Sequence, residues 1–144
     1  MTYLSTKKFG HEMGLSCAFR QHKANSHCKF IHGYSLAFKF VFQTEQLDER
    51  NWVVDFGSLK QLKIKLQQTF DHTLVVAKDD PLISHFRELD GIAWQLFETV
   101  EVGCEAFAKL AYDYACLNVA PHIKVISCEC AEHEANSAIY LGEF

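Results

Sequence analysis

The sequence predicts an α+β domain, an antiparallel sheet with two long helices on one face. Three observations predict it. From Tyr34 onward, Tyr34, Leu36, Phe38, Phe40 and Phe42 fall on one side and Ser35, Ala37, Lys39 and Val41 on the other. That is the period of two of a strand with one buried face. Two later stretches change to spacings of three and four, Leu59-Leu62-Leu66-Phe70 and Ala106-Leu110-Tyr114-Leu117, the pattern of amphipathic helices. The elements follow one another as β-β-β-α-β-(short α)-β-α-β-β, without repeats, linkers or low-complexity segments.

Residues 3–20 read as strand, with Leu15, Cys17 and Phe19 alternating with Gly14, Ser16, Ala18 and Arg20. A strand advances about 3.3 Å per residue, so His11 is too far along it to join Phe19 at one site. Arg20 to His27 is a polar loop that holds His22 and His27 as solvated side chains. The strand from Tyr34 to Thr44 is followed by a charged connection and by Trp52-Val53-Val54, a short β-type run that would complete a hairpin. Asp55 is placed to cap the first long helix, which ends near Phe70. Asp71-His72 precedes the strand Thr73-Leu74-Val75-Val76. Asp80 and Pro81 have the N-cap and first-turn chemistry of a short helix to Glu88, with His85 on its surface. Residues 91–99 alternate as a strand, and Gly103 opens the second long helix. Ile123 to Ala131 is a strand, Glu132 to Asn136 a turn, and Ser137 to Leu141 the last strand.

The chain of 144 residues is read as a single domain over 1–144, and 49% apolar residues with two prolines exclude global disorder. The net charge of -4 is spread with both signs mixed and forms no basic stripe, which disfavours nucleic acid. No apolar run approaches the roughly 18 residues of a membrane span. Met1-Thr2-Tyr3-Leu4 lacks the basic-then-apolar plan of a signal peptide, and the six scattered cysteines read as reduced thiols. A cytoplasmic protein is expected.

The chemistry-bearing stretch is Ser26 to Phe42. It crowds Cys28, His27, His32 and Tyr34 into a short loop at the mouth of a rigid strand, with Gly33 allowing a tight turn. Cys28 reads either as a small buried hydrophobe or as a base or nucleophile activated by a neighbouring imidazole or metal. Asp71 can orient His72 if their side chains meet, but neighbours on a strand point to opposite faces. Glu105 complements the positive end of the second long helix. Glu129 shares a predicted face with Ile123 and Val125, and a carboxylate on an apolar face needs a partner. Cys128 and Cys130 share the opposite face and read as packing.

Taken together these residues resemble the 6-pyruvoyl-tetrahydropterin synthase and 6-carboxytetrahydropterin synthase family. Cys28-x-x-x-His32-Gly33-Tyr34 is similar to the family's Cys-x-x-x-His-Gly-His. Trp52-Val53-Val54-Asp55-Phe56-x-x-Leu59-Lys60 resembles its strand-to-helix segment, Phe70-Asp71-His72 its Leu-Asp-His, and Glu105 the Glu at the start of its second helix. Residues 123–129 with Tyr140 are similar to its closing strands. The resemblance implies a tunnelling fold, in which three sheets close into a barrel and two trimers stack into a hexamer with active sites between subunits. It implies 7,8-dihydroneopterin triphosphate as substrate, Cys28 as the proton-abstracting thiolate and Asp71 with His72 as the second half of the acid/base system. Glu129 would hold the pterin ring, with Glu105 nearby. A zinc ion on three histidines would polarise the side-chain oxygens.

The chain departs from that pattern at the metal. Phe19 and Tyr34 stand at two of the three ligand positions and only His32 remains. Phe cannot ligate, and a neutral phenol is a poor zinc ligand. Either zinc is held differently, by His32 with His27 or His22, or the site works without metal. The expected function is a pterin lyase of the 6-carboxytetrahydropterin synthase type; the alternative is a metal-free pterin-binding homologue with little or no catalysis. Product and pathway, queuosine or pterin cofactor synthesis, stay open.

Overall fold

A computed structural model describes residues 1–143. Seven strands form one sheet: β1 (Tyr3–Phe9), β2 (Leu15–Phe19), β3 (His32–Thr44), β4 (Thr73–Ala77), β5 (Gln95–Thr99), β6 (Lys124–His133) and β7 (Asn136–Leu141). The helices are α1 (Lys60–Phe70), α2 (Ile83–Glu88) and α3 (Cys104–Cys116). The strand order is β5-β4-β2-β3-β6-β7, with β1 also paired to β3. Among the described residues no helix is long and apolar enough to cross a membrane.

β3 is long enough for two partners on one edge. β1 pairs with its positions 38–44 and β2 with positions 32–36. The single strand expected over 3–20 is therefore two. A one-turn 3-10 helix at His11–Met13 breaks it, and Gly14 turns the chain in the left-handed region at φ 71°. Ser35 Oγ donates to the His11 carbonyl (2.8 Å) and ties that break to β3.

The sheet is mixed rather than wholly antiparallel. β2–β4 and β4–β5 are parallel, while the other pairings run antiparallel. The cause is the helices: α1 and α2 return the chain to the end it left, which is what a parallel pairing requires.

α1 and α3 pack on one face, as the spacing predicts. Leu62, Leu66 and Phe70 of α1 are fully buried with Leu36, Phe38, Phe40 and Phe42 of β3, and the Phe38 and Phe70 rings lie 4.8 Å apart. Burying each such side chain contributes roughly 2–3 kcal/mol. Asp55 does cap, accepting from Gly57 N (2.9 Å), but a 3-10 turn over Phe56–Leu59 precedes α1. α2 lies on the opposite face of the parallel strands, where Phe86 packs with Leu74 and Val76. β4 is covered on both sides, so all five of its residues are buried.

Four further expectations change. Trp52-Val53-Val54 forms no strand, because Asp48 Oδ1 accepts from Arg50 N (2.8 Å) and Trp52 N (3.1 Å) and closes a turn there. β5 begins at Gln95 rather than Gly91, since the backbone N–H groups of Ile92 and Ala93 both donate to the Leu89 carbonyl. The buried face of α3 is Phe107, Ala108, Ala111, Tyr114 and Ala115, while Leu117 is 85% exposed. Phe107 turns the helix this way by fitting edge-on to both Phe19 and Phe70, and the alanines let the helix approach the sheet.

The fourth change concerns Glu129. Val41 pairs with Ser127 but Phe42 pairs with Val125, so Ile126 is an extra residue, a β-bulge. The bulge puts Val125 on the buried face together with Cys128 and Cys130. Glu129 turns to the other face.

Candidate active site

Asp71 and His72 do meet within one chain. His72 adopts a left-handed backbone at φ 56°, which breaks the alternation that would send the two side chains apart. Such a conformation in a non-glycine residue costs on the order of 1 kcal/mol. The fold holds it in place. His72 N donates to the Ser16 carbonyl (2.7 Å), Gln95 Nε2 donates to the His72 carbonyl (3.2 Å), and Ser16 N donates to Asp71 Oδ1 (3.3 Å). A carboxylate only accepts, so His72 Nδ1–H donates to Asp71 Oδ1 (2.7 Å) and Nε2 is not engaged by Asp71. The imidazole is 77% exposed, a base held in orientation and open to a ligand.

Cys28 lies in a one-turn 3-10 helix, His27–Lys29, capped by Ser26 Oγ, which accepts from Cys28 N (3.3 Å). Gln21 N donates to the Cys28 carbonyl (2.9 Å) and folds the loop on itself. Arg20 anchors the loop. It donates to the Lys29 carbonyl (3.2 Å) and, in a two-pronged pair, to Asp80 at 2.7 and 2.9 Å. Burial alone would push the Asp80 carboxyl up, but the Arg20 guanidinium and the Leu82 N–H outweigh it and hold it below the usual range. Cys28 lines a cavity of about 320 Å³ with Arg20, His22, Glu101 and Val102.

All six cysteines are free thiols, but they are not equivalent. Burial pushes Cys17 up to about 12 and raises Cys128, and a hydrogen bond that Cys130 makes to Cys104, together with burial, raises Cys130. These stay protonated at neutral pH. Cys116 is exposed but ends α3, roughly 18 Å from the turn that meets the Cys28 loop. Cys28 is the half-exposed thiol beside a cavity.

Phe19, His32 and Tyr34 come together as one ring group. Phe19 opposes His32 across β2–β3, and Tyr34 opposes Cys17. Ring centroids are 4.7 Å apart for Phe19–His32, 5.7 Å for His32–Tyr34 and 6.2 Å for Phe19–Tyr34. His32 Nδ1–H donates to the Phe30 carbonyl (2.8 Å), which leaves one imidazole nitrogen in the group. A phenyl ring has no lone pair to offer. Burial first, then the Glu132 carboxylate and the Cys28 and Cys104 thiols, push the Tyr34 phenol up, away from a ligating phenolate. These residues do not fit a three-imidazole zinc site, and no step below is routed through a metal. His22 is engaged as well, with Nε2–H donating to Asp79 Oδ1 (3.1 Å).

The two carboxylates lie apart. Glu105 is in the first turn of α3, joined to the Cys28 loop by Gln21, whose Nε2 donates to the Val102 carbonyl (3.4 Å). Glu129 does not stand on an apolar face. It opposes Lys39, which in turn opposes Lys8, and it accepts from Ser137 Oγ (2.8 Å) at a cavity of about 240 Å³. The chain thus brings Cys28, His32, Tyr34 and the start of α3 to one end of the sheet. Asp71 and His72 lie beside Ser16 at the other end of β2, roughly 13 Å along the strand from Arg20. Sequence reasoning missed the Arg20–Asp80 pair and the approach of Glu132 and His133 to Tyr34; partners sixty or a hundred residues apart leave no local pattern.

A family model described as 6-pyruvoyl tetrahydropterin synthase matches residues 9–143. The chain is 33% identical over 54 residues to the 6-carboxy-5,6,7,8-tetrahydropterin synthase of Rickettsia conorii, covering 37% of this chain and 39% of that protein. It is 27% identical over 105 residues to the enzyme of the same name from Aquifex aeolicus, covering 70% and 64%. The matched stretches therefore span less than two thirds of these curated relatives. Among solved structures, an uncharacterized protein from Wolinella succinogenes superposes with a TM-score of 0.84 at 18% identity, with 99% of each chain covered. The 6-pyruvoyl tetrahydropterin synthase of Plasmodium falciparum superposes with a TM-score of 0.72 at 12% identity, again over 99% of each. At these identities the likeness concerns the fold.

Proposed function

The chain belongs to the 6-pyruvoyl tetrahydropterin synthase family, and from that premise we propose that it is a pterin lyase acting on 7,8-dihydroneopterin triphosphate by thiol and histidine acid/base chemistry. The observation that carries this reading is the Asp71–His72 hydrogen bond, held in a left-handed backbone that three contacts maintain. A protein that only binds a pterin has no use for an oriented, exposed imidazole. In this reading the Cys28 thiolate removes a proton from the substrate side chain, and His72, steadied by Asp71, moves the second proton at its Nε2. Glu129 accepts from the pterin ring N–H and amine, and Glu105, which lies apart from it in one chain, contributes from a neighbouring subunit.

Cys28 and His72 lie apart within one chain, so this reading requires a working site shared between subunits. The outward residues Leu4 on β1 and Ile139 and Leu141 on β7 are each at least 60% exposed, and both strands are sheet edges. Free edges with apolar side chains are surfaces for another copy. A hexamer is expected, and sedimentation that finds a stable active monomer would overturn the shared site.

A second reading, a binding homologue without turnover, is favoured by the single imidazole among Phe19, His32 and Tyr34. Wild-type turnover of 7,8-dihydroneopterin triphosphate, followed by product chromatography, separates the two. Release of triphosphate and a changed side chain supports the lyase; tight binding with an unchanged ligand supports the binder.

Two more outcomes are expected. Glu129→Gln replaces an acceptor by a donor opposite ring donors, and pterin affinity should fall tenfold or more, roughly the value of one charged hydrogen bond; unchanged titration of pterin fluorescence would remove Glu129 from the site. Zinc per subunit, in protein purified without tag or chelator, should be well below one. A full equivalent that disappears in His32→Ala would mean that His22 or His27 completes a rebuilt site.

A further inference from the structure

The phenol of Tyr34 is held on three sides and left free at its oxygen. Its ring packs against Phe19, against His32 and, 5.9 Å away, against His133. Phe19 is itself fully buried and braced edge-on by Phe107 at 5.1 Å, so the ring group is anchored in the core. The Tyr34 oxygen makes no hydrogen bond to any described residue. Tyr114 differs: its oxygen shares a hydrogen bond with Thr69 (3.0 Å). Tyr34 stands two residues into β3, at the end of the sheet reached from the Cys28 turn. A rigid, unspent O–H donor therefore stands at the end of the sheet that carries the candidate base.

We propose that Tyr34 is a catalytic residue whose phenol O–H donates a hydrogen bond to the side-chain oxygen of the bound pterin. It thereby takes over the polarising task that the resemblance assigns to zinc. This rests on the lyase reading above. When Cys28 removes a proton, negative charge builds on the substrate, and a fixed donor at the oxygen stabilises that charge more than it stabilises the resting ligand. Tyr34 itself makes and breaks no covalent bond. The neighbours do not offer the same service: Phe19 has no donor, and His32 spends its Nδ1–H on the Phe30 carbonyl.

Tyr34→Phe tests this, because it keeps the ring and its packing and deletes only the oxygen. In the intact oligomer kcat should fall roughly 100-fold, the usual effect of removing one such donor. KM, pterin affinity and the melting temperature should stay within a few-fold or a degree or two of wild type. An unchanged kcat in Tyr34→Phe, with wild type active, overturns the role of Tyr34 and leaves the lyase reading standing. A loss of kcat that is matched by loss of affinity and of melting temperature also overturns it, since that is the result of a packing role. Absence of turnover in wild type overturns the lyase reading and this inference with it.

Discussion

Cys28→Ala is expected to lower turnover of 7,8-dihydroneopterin triphosphate roughly 1000-fold, within the range set by removing a positioned base, with pterin affinity retained. His72→Ala should do the same for a different reason. Its imidazole is 77% exposed and packs on little, so its loss removes a proton carrier and spares the core. Neither variant alone locates the two groups relative to each other. Mixing the two inactive proteins does. If one subunit supplies Cys28 and its neighbour His72, unfolding and reassembling an equimolar mixture creates some sites with both groups intact. With random assembly about one site in four is whole, so about a quarter of wild-type activity should return. A site built within one chain gives no recovery, whatever the mixture. The test follows from geometry: β2 and β4 run parallel, with His72 at their start and the Cys28 loop beyond their end. An unrestored mixture, from singly active-site-dead proteins that still form oligomers, would sink the shared site.

Much of this fold was legible because its signals are local. The alternation through Phe42 and the three-and-four spacing behind Asp55 are properties of neighbouring residues, and both elements form where the pattern puts them. What was not legible depends on contacts between distant segments. The bulge at Ile126 is one inserted residue, and it moves Glu129 from the apolar face, where an unpaired carboxylate drew attention, to a face shared with Lys39 and Ser137. The alternation of β6 alone cannot reveal that slip, because it is set by pairing with β3. Asp71 and His72 were visible as neighbours, but their hydrogen bond needs the left-handed turn at His72, which Ser16 and Gln95 hold from elsewhere in the chain. The parallel pairing of β4 was hidden for the same reason: direction is decided by where the helices return the chain. That Phe19, His32 and Tyr34 offer a single imidazole is readable from residue types alone. That they form a packed aromatic group is not, since Phe19, His32, Tyr34 and Phe107 meet only through the β2–β3 register and the tilt of α3.

Asp80→Ala should destabilise the protein by about 3 kcal/mol, the lower end of the range for breaking a buried ion pair, because Arg20 keeps some contact with water. The side chains of Asp80 and Arg20 are 0% and 16% exposed, and removing the carboxylate leaves a guanidinium without its counter-charge. The double change Arg20→Met with Asp80→Leu should cost less than Asp80→Ala alone, since no buried charge is then left over. The pH dependence has a definite sign. Asp80 is held below the usual carboxylate range when folded, with Arg20 and the Leu82 N–H outweighing the effect of burial. Its contribution is complete above the unfolded value of about 3.9 and is lost as pH falls through the lower folded value, because the unfolded chain binds the proton first. Wild type should therefore lose its advantage over the double variant below about pH 4 in denaturant titrations; a constant gap across that range would mean the pair does not contribute as argued. The consequence reaches the site. Arg20 also donates to the Lys29 carbonyl, one residue past Cys28, so the ion pair holds the thiol loop against the turn that follows β4. At temperatures where Asp80→Ala is still folded, turnover should fall further than pterin affinity, because a loosened thiol binds the ligand's ring no worse but meets its side chain less often.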